Sequence, residues 1–576
     1  MNGFVQTFWD AALFATLTFG FGLAFAPAEA ASAAGRLCVG TAFGLGTQFV
    51  AGFAAFAAGL SNGVAGAVIG FLLAVVLLLR RNAVTGLVRQ PEVHRLFAAW
   101  LLFAAWSLGL LALVKTYSGG GWAVDWVEHW QRTRFFMERM PLDTLFANVY
   151  PLTARPPLVN VVLALWLEAT PVSFADYQVL MTLFGTLILL PAWSLAERWR
   201  RGSGIWVVLV LMLSPLVAQN LTFAWTKLPT AFFVLTALAL ALAGLEPAGT
   251  ARQRVSAAFC LGLACAAHYS AGPWLVAAAV GLVVVAGRRC ASRTFWREAA
   301  ALSGAAAVAP AVWLAWAVHA YGLRGAFETN TTVGGWSSQS AAERLTVPAM
   351  NLVDTLVPVV ARTEPDDQLL TQRSQLGRLR DFAFSTYQLN LPLAFGFGGL
   401  FVLALAAGRK RSAEPRSTQD NARADRRFLV PVLLTATVLG VAVHTQRDHY
   451  GLTHICLQPL VLLGLAGIAA TLPSLRHRVL AVWAALAVID VGFGIVLHFG
   501  LQSWGFQGLV SPGGPPGVFL TLLNRVASVN AFDKHAFGFA YLSDRLQVPL
   551  LVTVSWLALC AGVAIVLACR NRRQCR

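Results

Sequence analysis

The stretch LSPLVAQNLTFAWTKLPTAFFVLTALAL (residues 213–240) carries a single charged side chain, Lys227. Crossing a bilayer takes about 20 predominantly apolar residues per helix. The runs at 205–219 and 229–245 on either side of Lys227 contain no charge. Similar runs recur at 63–79, 96–114, 178–196, 271–287, 391–408, 428–443, 455–472, 478–499 and 548–569. Lipid offers no hydrogen bonds, so each crossing segment must satisfy its backbone internally, as a helix does. Composition agrees: 57% of the 576 residues are hydrophobic and 12% are charged, too few charges for a water-soluble surface. The expected fold class is an all-α polytopic membrane protein.

The net charge of +17 is carried mostly by short connections: Arg80, Arg81, Arg89 and Arg95; Arg198, Arg200 and Arg201; Arg252 and Arg254; Arg288 to Arg297; Arg409 to Arg427; Arg476 and Arg478; and the tail from Arg570. The positive-inside rule places these in the cytoplasm. That explains the charge without nucleic acid, which is excluded as a partner. The segments 116–155, 220–228, 267–271, 322–390, 445–454 and 500–547 then face outwards. Segment 157–169 is too short to cross without inverting this order, and is read as a re-entrant or interfacial helix. The eight cysteines show no CxxC pair, so neither a disulfide framework nor a thiolate zinc site is expected. The apolar N-terminal run lacks a basic flank and is read as a retained span. Arginine exceeding lysine and abundant alanine suggest a bacterium of GC-rich genome, and the expected location of such a multi-pass helical protein is the inner (cytoplasmic) membrane.

The outward segments hold the chemistry. In GGGWAVDWVEHWQRTRFF (119–136), a helix from about 123 to 139 sets Asp125, Glu128, His129, Arg132 and Phe136 on one face. Trp126, Val127, Trp130 and Phe135 take the other sides, suited to a lipid interface. Arg155-Pro156-Pro157 gives a rigid entry into the next apolar helix, with Arg155 at headgroup level and able to hold a phosphate or simply snorkelling. Lys227, a lone outward cation, has the same two readings. His268 and Tyr269 lie between two spans. HTQRDHYGLTHICLQPL (444–460) adds Arg447, Asp448, His449, Tyr450 and His454, and 530–545 adds Asp533, Lys534 and His535. Each histidine alone reads most simply as a hydrogen-bonded structural residue, and no spacing among them demands a metal. Asp490 lies alone in an apolar run; intramembrane acids raise a functional hypothesis, but one acid without a partner makes no proton relay. Carboxylates and cations on one side suit transfer from an anionic, lipid-anchored donor. A base deprotonates the acceptor and a cation steadies the leaving phosphate.

The order of four pieces, WAVDWVEHWQRTRFF, ARPPLVNVVLALWL, SPLVAQNLTFAWTKLPTAFFVLTALAL and HYSAGPW, spans roughly 96–290. It resembles the polytopic GT-C-fold glycosyltransferases of the protein O-mannosyltransferase and aminoarabinose transferase branches. The resemblance implies a GT-C-like bundle and a polyprenyl-phosphate-sugar donor. It further implies transfer at the periplasmic or external face to a glycan, lipid or protein acceptor, often with inversion. The family's catalytic acid in the first external loop maps onto Asp125, with Glu128 as second candidate. Arg155 and Lys227 become candidates for the lipid phosphate, and His129, Arg132, His268, Tyr269, Arg447 and His449 for the remaining substrate contacts. The chain departs from the family in its extra N-terminal spans and in having Asp125-Trp126 where an acid pair is common. A single acid is a poor anchor for Mg2+ or Mn2+, so no cofactor is assigned, and a divalent metal stays open without support from the spacing.

The chain then divides into N-terminal spans and a basic loop (1–95) and a core (96–321) with its first external loop at 116–155. A large external loop (322–390) follows, then further spans (391–499) with a cytoplasmic linker at 409–427. A second external loop (500–547) and a last span with a basic tail (548–576) complete the order. Two other classes compete: a transporter or flippase for an anionic lipid or solute, which requires broken helices in two related halves, and a non-catalytic scaffold in glycan assembly. Oligosaccharide ligation shares the features of single-sugar transfer.

Overall fold

The computed structural model describes residues 2–27, 32–115, 117, 125–330, 339–358, 382, 385–408, 416–449, 451–499 and 539–574. The expected contributions of Tyr450, Asp533, Lys534 and His535 lie outside these residues. Helices dominate, and no strand occurs among the described residues. Eleven helices are long and apolar enough to cross a membrane, or up to twelve if one bent pair counts as a span. The architecture is the expected all-α polytopic bundle. The N-terminal helix Gly3–Phe25 is part of the core: its Phe14 is fully buried and packs edge-on against Trp166. Arg293–Phe327, which the reading from sequence did not separate as a span, is the longest helix described.

The helix ends sort by charge. Arg198, closing Phe174–Trp199, pairs with Asp425 at 2.8 Å and with Glu246, joining three connections at one end of the bundle. Arg254 pairs with Glu298 and donates to the Gly244 carbonyl there. Asn571 and Arg572, in the last helix, donate to the carbonyls of Gly202 and Leu475 at the same end. The acids and histidines named from sequence lie at the opposite helix ends.

Several local devices shape that opposite end. Pro215 lacks an N–H and its ring crowds the preceding turn, so Gly204–Met212 and Pro215–Thr222 meet at 72° rather than forming one straight span. Ser214 caps the second piece through the Val217 N–H. The chain then turns through Ala224 and starts Lys227–Gly244, which puts Lys227 in its first turn. Segment Leu158–Leu167 is too short to cross, as expected, but it is not interfacial: every residue in it is buried. Leu542–Leu546 is fastened to two spans by Arg545, which pairs with Asp10 at 3.0 Å, with Asp176, and with the Ser173 hydroxyl at 2.7 Å.

Asp490 is not the lone acid that its sequence context implies. It accepts from the Tyr387 hydroxyl at 3.1 Å and from the backbone N–H groups of Phe397 and Gly398 at 2.8 and 2.9 Å. The last two are free donors at the start of helix Gly396–Gly408, where no preceding turn can accept them. Gly396 has φ +73°, and a Cβ there would meet the Asp490 carboxylate at 2.6 Å. Asp490 is therefore a helix cap supplied from another helix. We expect Asp490→Ala to lower stability by about 2 kcal/mol, since it strands buried donors; the check is a lower melting temperature in detergent, with lipid binding retained.

Candidate active site

The helix Asp125–Glu138 carries the site. Its expected face is real, but the helix does not lie at a lipid interface. Val127, Trp130, Phe135 and Phe136 are 2%, 4%, 0% and 2% exposed. Trp130 packs on Phe174 and Tyr177, while Phe135 and Phe136 meet Phe56. Aromatic residues that suit a membrane surface instead fill gaps within the protein. Asn160 of the enclosed helix Leu158–Leu167 donates to the His129 carbonyl and the Thr133 hydroxyl, locking the two helices together.

Glu128 sits at the centre. Arg132 Nε lies 2.7 Å and Arg155 Nε 2.9 Å from its carboxylate, and Glu128 is fully buried. Arg132 also donates to the carbonyls of Leu152 and Pro151 at 2.7 and 2.8 Å. Its guanidinium thus stitches the helix to the turn that delivers Arg155. Burial works against a charge on Glu128, but Arg155 and Arg132 outweigh it and hold the carboxyl down to about 2. Glu128 is a permanent anion inside the protein, engaged on two sides.

Asp125 stands one turn away with a different environment. Its ion pair with Arg155 Nη2 is a long one, 3.4 Å, and its side chain keeps 19% of its exposure. Burial raises its pKa; Arg155 opposes this, Glu128 reinforces it, and Lys227 and Trp225 oppose it. Of the two candidate acids, Asp125 is the accessible one with an environment that makes it more basic.

Arg155 is turned into the protein and does not snorkel freely. It is 11% exposed, reaches both acids and has the Tyr150 ring 5.5 Å away. Glu128 and Asp125 keep it protonated despite burial. Lys227 is the contrasting cation. It is 5% exposed and, among the described residues, its ammonium has no hydrogen-bond or ion-pair partner. It interacts electrostatically with Arg155, Asp125, Cys456 and Glu128. His268 faces the same point. Its Nδ1 accepts the Ser270 N–H at 3.1 Å and lies 2.8 Å from the Ser270 hydroxyl, while its Nε2 lies 3.5 Å from Arg155 Nη1.

The remaining predicted residues separate. Tyr269 bonds Trp313 and the Thr153 carbonyl, bracing the turn before Arg155. Arg447 lies in a bidentate pair with Asp354 at 2.9 and 3.3 Å, so the structure ties Arg447 to Asp354 rather than to Asp125, with His449 two residues further along that loop. A turn at Gly451, φ +104°, carries the chain onward to His454; a side chain there would strike the Leu389 carbonyl at 2.4 Å. From this stretch His444 and His454 interact with Lys227 instead. His444 was not singled out in sequence, although a histidine closing an apolar run on the outward side was the available signal. Among the described residues, no group of three His, Cys, Asp or Glu side chains is arranged for a metal ion.

No protein-family model and no curated protein matches this chain. Solved structures that match include ArnT from Cupriavidus metallidurans bound to undecaprenyl phosphate, at 15% identity, covering 82% of this chain and 77% of that one, with a TM-score of 0.41. The same protein in the apo state matches at 15% identity over 73% and 78%, with a TM-score of 0.35.

The buried site predicts an acid-sensitive fold. Burial pushes the His129 pKa from 6.5 to about 3. An unfolded imidazole takes up a proton near 6.5 that the native one refuses, so stability is lost as pH falls from 6.5 towards 3. Glu128 adds a second loss between its ordinary 4.5 and about 2. We expect the melting temperature in detergent to decline from pH 6.5 downwards. His129→Gln should delay that onset, and Glu128→Gln should lower stability at pH 7 while flattening the most acid part.

Proposed function

We propose that this chain is an integral-membrane glycosyltransferase that moves a sugar from a polyprenyl-phosphate-linked donor to an acceptor hydroxyl. The observation that carries this reading is Lys227, a buried cation that has no anionic partner among the described residues, set beside an accessible carboxylate. An unpaired buried charge is costly, and a lipid phosphate is an anion that a membrane protein meets. In the proposed step Asp125 takes the proton of the acceptor hydroxyl. The oxygen attacks the anomeric carbon as its bond to the phosphate oxygen breaks, and the electron pair leaves with the polyprenyl phosphate. Lys227 steadies that developing charge. Attack opposite the leaving group inverts the anomeric centre. Glu128 holds Arg155, and Arg155 holds Asp125, so the base is aimed before substrate arrives.

The basic loops at the other end support a cytoplasmic face there and an external active site. Transport is the weaker reading. Among the described residues one bent helix pair occurs. Its Gln219 and Asn220 bond Gln388 and the Gly494 carbonyl rather than lining a path.

Asp125→Asn should abolish transfer while leaving the yield and melting temperature of the folded protein unchanged; retained activity moves the base elsewhere. Lys227→Ala should weaken binding of undecaprenyl phosphate by about tenfold or more, as expected for losing a charge-assisted contact, with no effect on uncharged polyprenol. Calorimetry in nanodiscs reads both. Cysteine labelling in intact cells should modify 339–358 from outside and 416–427 only after permeabilisation; the reverse pattern overturns the external site.

A further inference from the structure

Lys227 has a second set of neighbours besides the carboxylates and Arg155. It interacts electrostatically with His444 and His454, and His454 with His444. The His454 ring lies 5.7 Å from that of Trp225. Four of the side chains here hold buried polar atoms with no hydrogen-bond partner: Thr226 Oγ1, His444 Nε2, His454 Nδ1, and both Nε2 and Oε1 of Gln458. Gln458 follows His454 by four residues across a π-helical turn, Thr453–Leu457, and is 1% exposed. Such wide turns occur often at functional sites. Buried polar atoms are almost always hydrogen-bonded, and each exception requires an account. Several exceptions around one unpaired cation have a single simple account, which is a missing ligand.

The types of the orphaned atoms narrow that ligand. A second phosphate offers only acceptors, and would leave Gln458 Oε1 unpaired and repelled. Hydroxyl groups both donate and accept, and so can satisfy an amide oxygen, an amide nitrogen, a threonine hydroxyl and a neutral imidazole together. The Trp225 ring beside His454 adds the aromatic surface that C–H faces of a sugar ring pack on. Building on the transferase reading above, we infer that Thr226, His444, His454 and Gln458 form the subsite for the uncharged, hydroxyl-bearing glycosyl group of the donor, with Lys227 between it and Asp125. These residues then set which sugar is accepted, because a polar site rejects a ligand that leaves its buried groups unpaired.

The test uses full-length protein in nanodiscs, titrated with undecaprenyl phosphate and with its glucosyl, mannosyl, galactosyl and arabinosyl phosphodiesters. Wild type, Lys227→Ala, Gln458→Leu and His454→Phe are compared. The expected result has wild type binding at least one glycosylated lipid more tightly than the bare phosphate. Gln458→Leu and His454→Phe each remove about three- to tenfold of that advantage, the size of one hydrogen bond. Both bind the bare phosphate as wild type does, which also shows that they are folded. If the variants keep the sugar advantage, or if wild type shows none with any of the four sugars, the subsite is overturned while phosphate binding through Lys227 still supports the transferase. Equal losses for bare and glycosylated lipid make the two residues structural and likewise overturn it. A wild type that does not distinguish undecaprenyl phosphate from polyprenol overturns the transferase reading and the subsite together.

Discussion

A carboxylate cannot stay charged away from water unless cations reach it, and Glu128 is reached by two. This one constraint organises the outward end of the bundle. Arg132 is required to neutralise Glu128, and its other donors take the carbonyls of Pro151 and Leu152. That fixes the turn from which Arg155 emerges. Arg155 completes the neutralisation and still has a donor for Asp125. Removing one partner of such a network leaves an uncompensated buried charge, which costs far more than an exposed ion pair contributes. The rigidity of the site therefore follows from the cost of leaving any member alone.

The two carboxylates one turn apart illustrate how environment divides labour between like groups. Glu128 is charge-compensated by two guanidinium groups and stays ionised far into acid. Asp125 keeps part of its surface open and is made more basic by burial. The cations divide in the same way. Arg132 and Arg155 are held by acids, whereas Lys227 has electrostatic neighbours but no ion pair. A planar guanidinium suits fixed, bidentate bracing; an ammonium on a flexible stem suits an anion that arrives and leaves. Asp490 adds a caution: a carboxylate within an apolar run turned out to be the cap of a neighbouring helix.

Much of the fold was legible in the sequence because the bilayer is a severe solvent. Uninterrupted apolar runs and arginines at alternate connections each have one physical reading, whereas the run 205–219 is broken at Pro215. The face of the Asp125 helix was legible too, because three- and four-residue spacing is a property of the helix itself. Its surroundings were not. Tryptophan and phenylalanine serve a lipid interface and a protein interior equally well, so Trp130 and Phe135 gave no sign that the helix would be enclosed. Arg447 and His449 look like Arg155 and His268 in sequence; only the packing of Asp354 against Arg447 separates them.

The sequence by itself determined that this is a helical membrane protein with its acids, histidines and one lone lysine gathered opposite its basic loops. Hydrophobic length and charge placement are one-dimensional quantities, and the bilayer reads them directly. Only the tertiary structure decided which carboxylate is braced and which is open, which cations are paired, and that His444 and His454 interact with Lys227. Those outcomes depend on which groups meet across turns far apart in the chain, and on which of them water can still reach.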